Sequence, residues 1–313
     1  MMRPRRKLIV HPDELTARLV DRLVELGVDS VGIHPTGGEG ATASLVALLS
    51  LLESEEYRAR LDYASERGLT IEYELHAGGY LMPRELFSTH PEYFRMNDEG
   101  ERVADFNLCV SNDAALEIVA ERAAGLVGAL YKSAPRYHLW LDDKKDASCR
   151  CERCRRLTPS DKQLTVMNKI AKRLRECVPD AALAYLAYFE CVAPPTGVRP
   201  EDGVFLEYAP FEKYTARGDG AEALIAAERN MLNRLIDLFG HEGLEVLEYW
   251  YDNSLLSEWK KPPRKFTPDG QKIKEEIAEY EALTPSYISS FACFLGEDYE
   301  ELYGEADLSA FAK

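Results

Sequence analysis

Short apolar runs alternate with longer stretches of helical periodicity along this chain. The runs fall at residues 7–10, 30–34, 69–76, 137–142, 182–189, 204–209, 244–251 and 286–293. Each is short, rich in branched or aromatic residues and bounded by Gly, Pro, Asp or Asn, as strands are. Between them, Leu15, Leu19, Leu23 and Leu26 recur on one face of a helix predicted over 13–26, with Asp13 as its cap and Gly27 as its stop. One long helix is predicted over 41–67, and others over about 113–131, 160–177, 221–239 and 269–283. Eight strands separated by helices predict an α/β fold, a (β/α)8 TIM barrel, formed by residues 1–313 as one domain. Two connections break the rhythm. A long irregular segment, 77–111, follows the third strand, and a second long loop follows the fourth. The Pro-rich link 192–203 is too short for a good helix. Long loops of this kind usually carry function.

Composition narrows the partners. With 38 Lys and Arg against 54 Asp and Glu, the net charge is −16. An acidic chain repels phosphate backbones, so nucleic acid is not expected as a partner. No apolar run approaches the roughly 20 residues of a membrane helix. The basic start, Arg3 to Lys7, precedes only Leu8-Ile9-Val10, too short for a secretion signal. The expected location is the cytoplasm. Nothing in the sequence sets the oligomeric state.

Of the seven cysteines, three crowd into Cys149-Arg150-Cys151-Glu152-Arg153-Cys154. A C-x-C-x-x-C in a reducing compartment points to metal and not to disulfides. Zinc takes four thiolates, and Cys109 ends the other long loop, at the same rim of a barrel. Cys109, Cys149, Cys151 and Cys154 are therefore expected to hold a structural zinc ion. Arg150, Arg153, Arg155 and Arg156 are placed to offset its excess negative charge. Cys177, Cys191 and Cys293 are expected to pack as small apolar residues.

Barrel chemistry sits at the C-terminal ends of the strands. Read with period two, the third strand puts Glu72, Glu74 and His76 on one face, and the fourth puts His138, Trp140 and Asp142 on one face. If apolar faces meet the helices, these polar faces point inward. His34 ends the second strand, Glu190 follows the fifth, Glu207 lies on the sixth, and Glu248, Tyr249 and Trp250 lie on the seventh. Carboxylates beside aromatic faces suit a small carbohydrate, whose C–H faces stack while its hydroxyls form hydrogen bonds. His34, Glu74, His76, Trp140, Glu190, Glu207, Tyr249 and Trp250 are thus the expected substrate-binding residues. Asp142 and Asp143 are the expected acid pair, since adjacent carboxyls in one pocket cannot both ionise cheaply. Glu248 is the expected opposing nucleophile. His11 and His34 read as hydrogen-bonded scaffold more than as catalysts. Two other readings remain open. One is a sugar isomerase or epimerase with a divalent metal on Glu74, His76, Asp142, Glu207 and Glu248. The other is a carbohydrate-binding barrel without catalysis.

Two resemblances add to this. His90-Pro91-Glu92-Tyr93-Phe94, Gly100, Leu108-Cys109-Val110-Ser111-Asn112, Trp140-Leu141-Asp142-Asp143 and the cysteine motif resemble a bacterial family of glycoside-hydrolase-like barrels. That family has long been catalogued as a domain of unknown function, and some members are endo-β-N-acetylglucosaminidases. The spacing of one Cys about forty residues before C-x-C-x-x-C is similar to the structural zinc site of certain β-galactosidase barrels. Carried over, that likeness implies an acid at Asp143 or Asp142 and a nucleophile at Glu248, although Asp stands here where those enzymes have Glu. The adjacent Asp-Asp looks more like enzymes that use the substrate's own acetamido group, one Asp orienting it and the other protonating the leaving oxygen. The expected function is a retaining glycoside hydrolase acting on an oligosaccharide, including N-acetylglucosamine-containing ones, with Asp143 as the acid/base and Asp142 as the orienting group.

Overall fold

A computed structural model describes residues 3–313. Eight parallel strands close into a barrel: β1 (Arg5–Val10), β2 (Ser30–Ile33), β3 (Thr70–His76), β4 (Arg136–Trp140), β5 (Ala182–Ala187), β6 (Val204–Tyr208), β7 (Glu245–Glu248) and β8 (Tyr287–Phe291). The ring shuts where β1 meets β8, with Arg5 opposite Tyr287 and Ile9 opposite Phe291. An α-helix lies in every connection except β5–β6, which holds only the single 3-10 turn Phe189–Val192. No described helix is long and apolar enough to cross a membrane.

Local chemistry explains where the helices differ from expectation. The first one begins at Ala17, because the Thr16 hydroxyl accepts from the Leu19 N–H at 3.2 Å. Asp13 lies in a preceding 3-10 turn and pairs with Lys261. The expected 41–67 helix is two helices, Ala41–Leu51 and Glu55–Glu66. Ser54 caps the second, and Glu55 and Glu56 sit at its positive end. Gly27 and Gly240 do end their helices, with φ of 71° and 79°, where a side chain would be strained.

The helices cover the barrel with Leu, Ile, Val and Ala, packed on outward residues such as Leu8, Ile33, Leu75 and Leu139. The interior is layered. Its lower belt is ionic and fully buried: the Lys7 ammonium lies 2.9 Å from Glu72, 2.5 Å from Glu74 and 2.8 Å from Glu245. The His138 ring lies between Glu72 at 3.0 Å, Glu74 at 3.0 Å and Glu207 at 2.9 Å. Arg136 reaches Glu245 at 2.9 Å and stacks on Phe205. Above this belt lies a floor of Ile9, Trp140, Leu186, Leu247 and Phe291.

Candidate active site

Over that floor, at the C-terminal ends of the strands, opens a cavity of about 460 Å³. Strand parity decides what enters it. On β1, β2 and β3 the inward positions end in His11, His34 and His76, and on β4 they end in Trp140. On β7, Glu245 and Leu247 face in, so Tyr249 does too, and Asp252 follows after one turn. His11, His34, His76, Trp140, Tyr188, Tyr249, Phe291, Asp143 and Asp252 all line this space. Gly37 permits the close approach there: a Cβ on it would lie 2.9 Å from His76 Cδ2 and 3.4 Å from Asp143 Oδ2.

Two carboxylates face the cavity. Burial pushes Asp252 above the ordinary carboxyl range, although its Oδ1 accepts the Ser254 N–H at 2.9 Å. Tyr188 is pushed up by burial first, then by Asp143, and Asp252 adds to it. Tyr249 is likewise raised by burial, Tyr188, Asp252 and Asp143. Both tyrosines therefore sense both aspartates. His34 is held neutral by burial beside His76 and His11, with its pKa well below the usual value.

Asp142 is committed differently. Its Oδ2 accepts from Arg84 and from the Asn107 N–H, and its own N–H donates to Asn107 Oδ1 at 3.2 Å. It ties the loops after β3 and β4 together. Beside it a side cavity of about 70 Å³ shares His76, Trp140, Asp143 and Tyr188 with the main one. Glu190 reaches this side cavity. Its Oε1 accepts the Asp146 N–H at 3.1 Å, and its buried Oε2 has no partner.

The four cysteines converge. Cys109, Cys149, Cys151 and Cys154 are buried, with all four sulfurs within 4.8 Å of one another. Cys109 Sγ lies 3.7 Å from Cys151 Sγ and 3.9 Å from Cys154 Sγ. Those distances are far too long for disulfides, but they match the edges of a tetrahedron with metal–sulfur arms of about 2.3 Å. The donor set thus fits a metal. The Met96 N–H donates to Cys149 Sγ at 3.3 Å, and Ser111 Oγ is 3.2 Å from Cys154 Sγ. The guanidinium against the sulfurs is Arg102, 3.8 Å from Cys149. Arg150 instead turns to Asp98, and Arg155 to a backbone carbonyl. Ser148 and Cys149 also wall the side cavity, so the cluster fixes one side of it. Of the other three cysteines, Cys293 is buried and Cys191 half-buried, whereas Cys177 is exposed, contrary to expectation.

Four expected site residues lie elsewhere. Glu74 and Glu207 face inward but sit in the ionic belt beneath the floor, held by Lys7, His138 and Trp140 Nε1. Glu248 and Trp250 have the wrong parity. Inward Glu245 turns them out between barrel and helices, where Glu248 bonds Lys213 and the Tyr280 hydroxyl and Trp250 Nε1 donates to Glu276 at 2.6 Å. The five ligands of an isomerase metal therefore do not meet. The belt's close carboxylate–histidine groups, Glu72/His138/Glu245 and Glu74/His138/Glu207, are already bridged by the Lys7 ammonium and the His138 ring. Asp252, just past the seventh apolar run, and Tyr188, at the end of the fifth, stand at strand ends in the sequence without being marked as site residues, and Tyr214 and Phe291 are unmarked too. The parity of Glu245 was the signal for Tyr249, but the turn that swings Asp252 back leaves no periodic trace.

Residues 53–222, more than half of the chain, match the model of a domain of unknown function, DUF4838. The chain belongs to the DUF4838 family. A search of curated proteins finds no match to this DUF4838 member. Among solved structures it is similar to endo-glycoceramidase II from Rhodococcus sp., with a TM-score of 0.56 at 10% identity over 93% of this chain and 73% of that one. It is also similar to the GH42 β-galactosidase Gan42B, at 0.50 and 13% identity over 92% and 51%. The β-galactosidase from the psychrophilic Marinomonas ef1 gives 0.50 and 11% over 92% and 53%. The chain thus spans about half the length of either galactosidase. At such identities the likeness is one of fold, a glycoside-hydrolase-like (β/α)8 barrel.

Proposed function

We propose that this barrel is a glycoside hydrolase acting on an oligosaccharide, with Asp143 and Asp252 as its working carboxylates. The observation that carries the reading is that both line one aromatic-walled cavity, one from the end of β4 and one from beyond β7. Glycoside cleavage needs a proton for the leaving oxygen and a carboxylate for the positive charge that builds at the sugar carbon. Burial raises the Asp252 carboxyl, which suits it to the acid role and leaves Asp143 as the carboxylate facing the sugar. That moves the acid role from Asp143, where the sequence put it, to Asp252. It also replaces outward-facing Glu248 as the partner. Asp143→Asn is expected to lose about 10²–10⁴-fold in turnover on every substrate. Asp252→Asn loses as much on poor leaving groups but much less on dinitrophenyl glycosides, which need no proton. Full activity of either variant on an alkyl glycoside overturns the assignment. Sugar binding without turnover across a wide glycoside panel would leave a carbohydrate-binding barrel.

The side cavity beside Asp142 and Asp143 favours a second reading. An acetamido group on the substrate fits there and attacks the sugar carbon in place of a protein nucleophile, with Asp143 orienting it. The outcome of that route is retaining. A strong preference for N-acetylglucosaminides over glucosides supports this, and equal turnover removes it.

We also infer that the metal on Cys109, Cys149, Cys151 and Cys154 is zinc. Four thiolates leave no open position, so its role is structural: it pins the loops after β3 and β4. Elemental analysis of the purified protein tests the identity. Absence of zinc with four titratable buried thiols overturns it.

A further inference from the structure

The cavity carries a row of three histidines. His11, His34 and His76 each turn Nδ1 to a main-chain carbonyl on the next strand's end. The acceptors are those of His34 at 2.8 Å, Glu74 at 2.8 Å and Leu141 at 3.1 Å. A carbonyl only accepts, so each Nδ1 carries the proton, and in the neutral ring Nε2 is left as an acceptor. None of the described hydrogen bonds uses those Nε2 atoms. Ring centres step 5.8 Å from His76 to His34 and 5.9 Å on to His11. Each step is close to the length of one pyranose unit along a glycan.

The row has two distinct ends. His76 stands beside Asp143 across Gly37. His11 packs on Phe294 at 5.7 Å, and Lys261, from the loop after β7, lies over that same ring. This loop also carries Trp259, which lines the cavity yet is 61% exposed. The backbone that carries it is fixed. Glu258 and Trp259 both take left-handed backbone, with φ of 54° and 52°, an unfavourable choice for two residues with side chains. Hydrogen bonds over-determine it: Trp259 N–H to Ser254 O at 2.8 Å, and Asn253 Nδ2 to Arg264 O at 2.9 Å. The fold holds a large aromatic face open at the rim. The main cavity is lined by two aspartates and by no lysine or arginine, so it offers nothing to an anionic sugar.

Resting on the hydrolase reading above, we infer that the cavity takes a chain of at least two neutral sugar units laid along the histidine row from Asp143. Trp259 is the stacking platform for the unit farther from Asp143. Stacked sugar faces add affinity by dispersion and desolvation, and the row's acceptors take hydroxyl protons.

The test is a chain-length series. Glucose, cellobiose and cellotriose, and N-acetylglucosamine with its β-1,4 dimer and trimer, are titrated calorimetrically into the full chain carrying Asp143→Asn. In at least one series affinity should rise about tenfold from one unit to two. Adding Trp259→Ala should abolish that rise while leaving the monosaccharide within about twofold, and Trp259→Phe should restore most of it. Oligogalacturonate should bind at least about tenfold more weakly than the neutral chains. An undiminished rise in Trp259→Ala overturns the platform, and tight oligogalacturonate binding overturns the neutral assignment. Cleavage by the wild type without any chain-length effect sinks the platform and leaves the hydrolase. A Trp259-dependent rise without cleavage of any probe sinks the hydrolase and leaves the platform. No binding in either series counts against both.

Discussion

Beneath the aromatic floor, buried Lys7 and His138 and the largely buried Arg136 meet the fully buried Glu72, Glu74, Glu207 and Glu245. Above it, Asp143 and Asp252 face a cavity with no lysine or arginine in its wall. Both layers are built from inward-facing polar residues on the same strands, yet only the upper one has groups left to bind anything. The lower belt is nearly self-neutralising. His138 is pushed up to about 10 despite burial, by Glu207 and Glu74, while burial pushes Glu74 up to about 8. Lys7, Arg136 and His138 stand against four carboxyl groups, of which Glu74 is pushed towards its neutral form. A polar strand face therefore does not by itself mark a site. What marks one is an acid whose partners do not cancel it.

The severest way to break this contrast is to remove the belt's central cation. Lys7→Met leaves Glu72, Glu74 and Glu245 without their shared ammonium in the dry interior. Unfolding in urea should show a loss of at least about 3–5 kcal/mol, or no folded protein at all. Near-wild-type stability would mean that the belt is wetter than its zero exposure implies. Next is the thiol cluster, which steadies the upper layer only. If the four thiols hold the proposed zinc, Cys109→Ser should lower zinc content and cost about 3 kcal/mol of stability. It should also raise KM, because Ser148 and Cys149 wall the side cavity. Metal retained at full stoichiometry would refute the four-thiolate site.

The pH dependence sharpens the same comparison. His138 has a folded pKa near 10 against about 6.5 unfolded, so its contribution is complete below pH 6.5 and is lost as pH rises through 10. Glu74 is favoured neutral in the fold, so its contribution is complete below about pH 4.5 and is lost as pH rises through 8. Both changes have one sign. Together the two shifts correspond to a loss of up to about 5 kcal/mol of stability between pH 7 and pH 10. In His138→Gln that slope should flatten. An unchanged slope in the variant would assign the alkaline loss to other groups.

The barrel was legible because its evidence is periodic. Eight apolar runs between helical stretches leave little else to build, and C-x-C-x-x-C with Cys109 placed the thiols because spacing on one loop is itself geometry. The polar interior was legible too, from Glu72, Glu74 and His138. Depth along the strand was not: nothing local tells Glu74, two residues below the rim, from His76 at it. Nor was the phase of β7. The rule that acidic residues point inward fails for Glu248, since a half-buried lysine and a buried tyrosine wait on the helix side. Asp252 stands just past the seventh strand in the sequence, but its turn into the cavity was not legible, because alternation stops there.

Glu248 supplies the finest test of that phase. It is buried, and burial pushes its carboxyl up, against the pull of Lys213 and the Tyr280 hydroxyl. A raised pKa at the end of the seventh strand is what a catalytic acid would show, so pKa alone would have chosen it. Geometry does not, because its oxygens serve the helix layer and the cavity wall beside it is Tyr249. Glu248→Gln keeps the shape and removes the charge facing Lys213. It should cost about 1 kcal/mol in thermal or urea unfolding. At a temperature where the variant stays folded, turnover should remain within about threefold of wild type, an effect of well under 1 kcal/mol on the barrier. A loss matching that of Asp252→Asn would place the chemistry on the outward face of β7 and undo the assignment of the cavity above the floor.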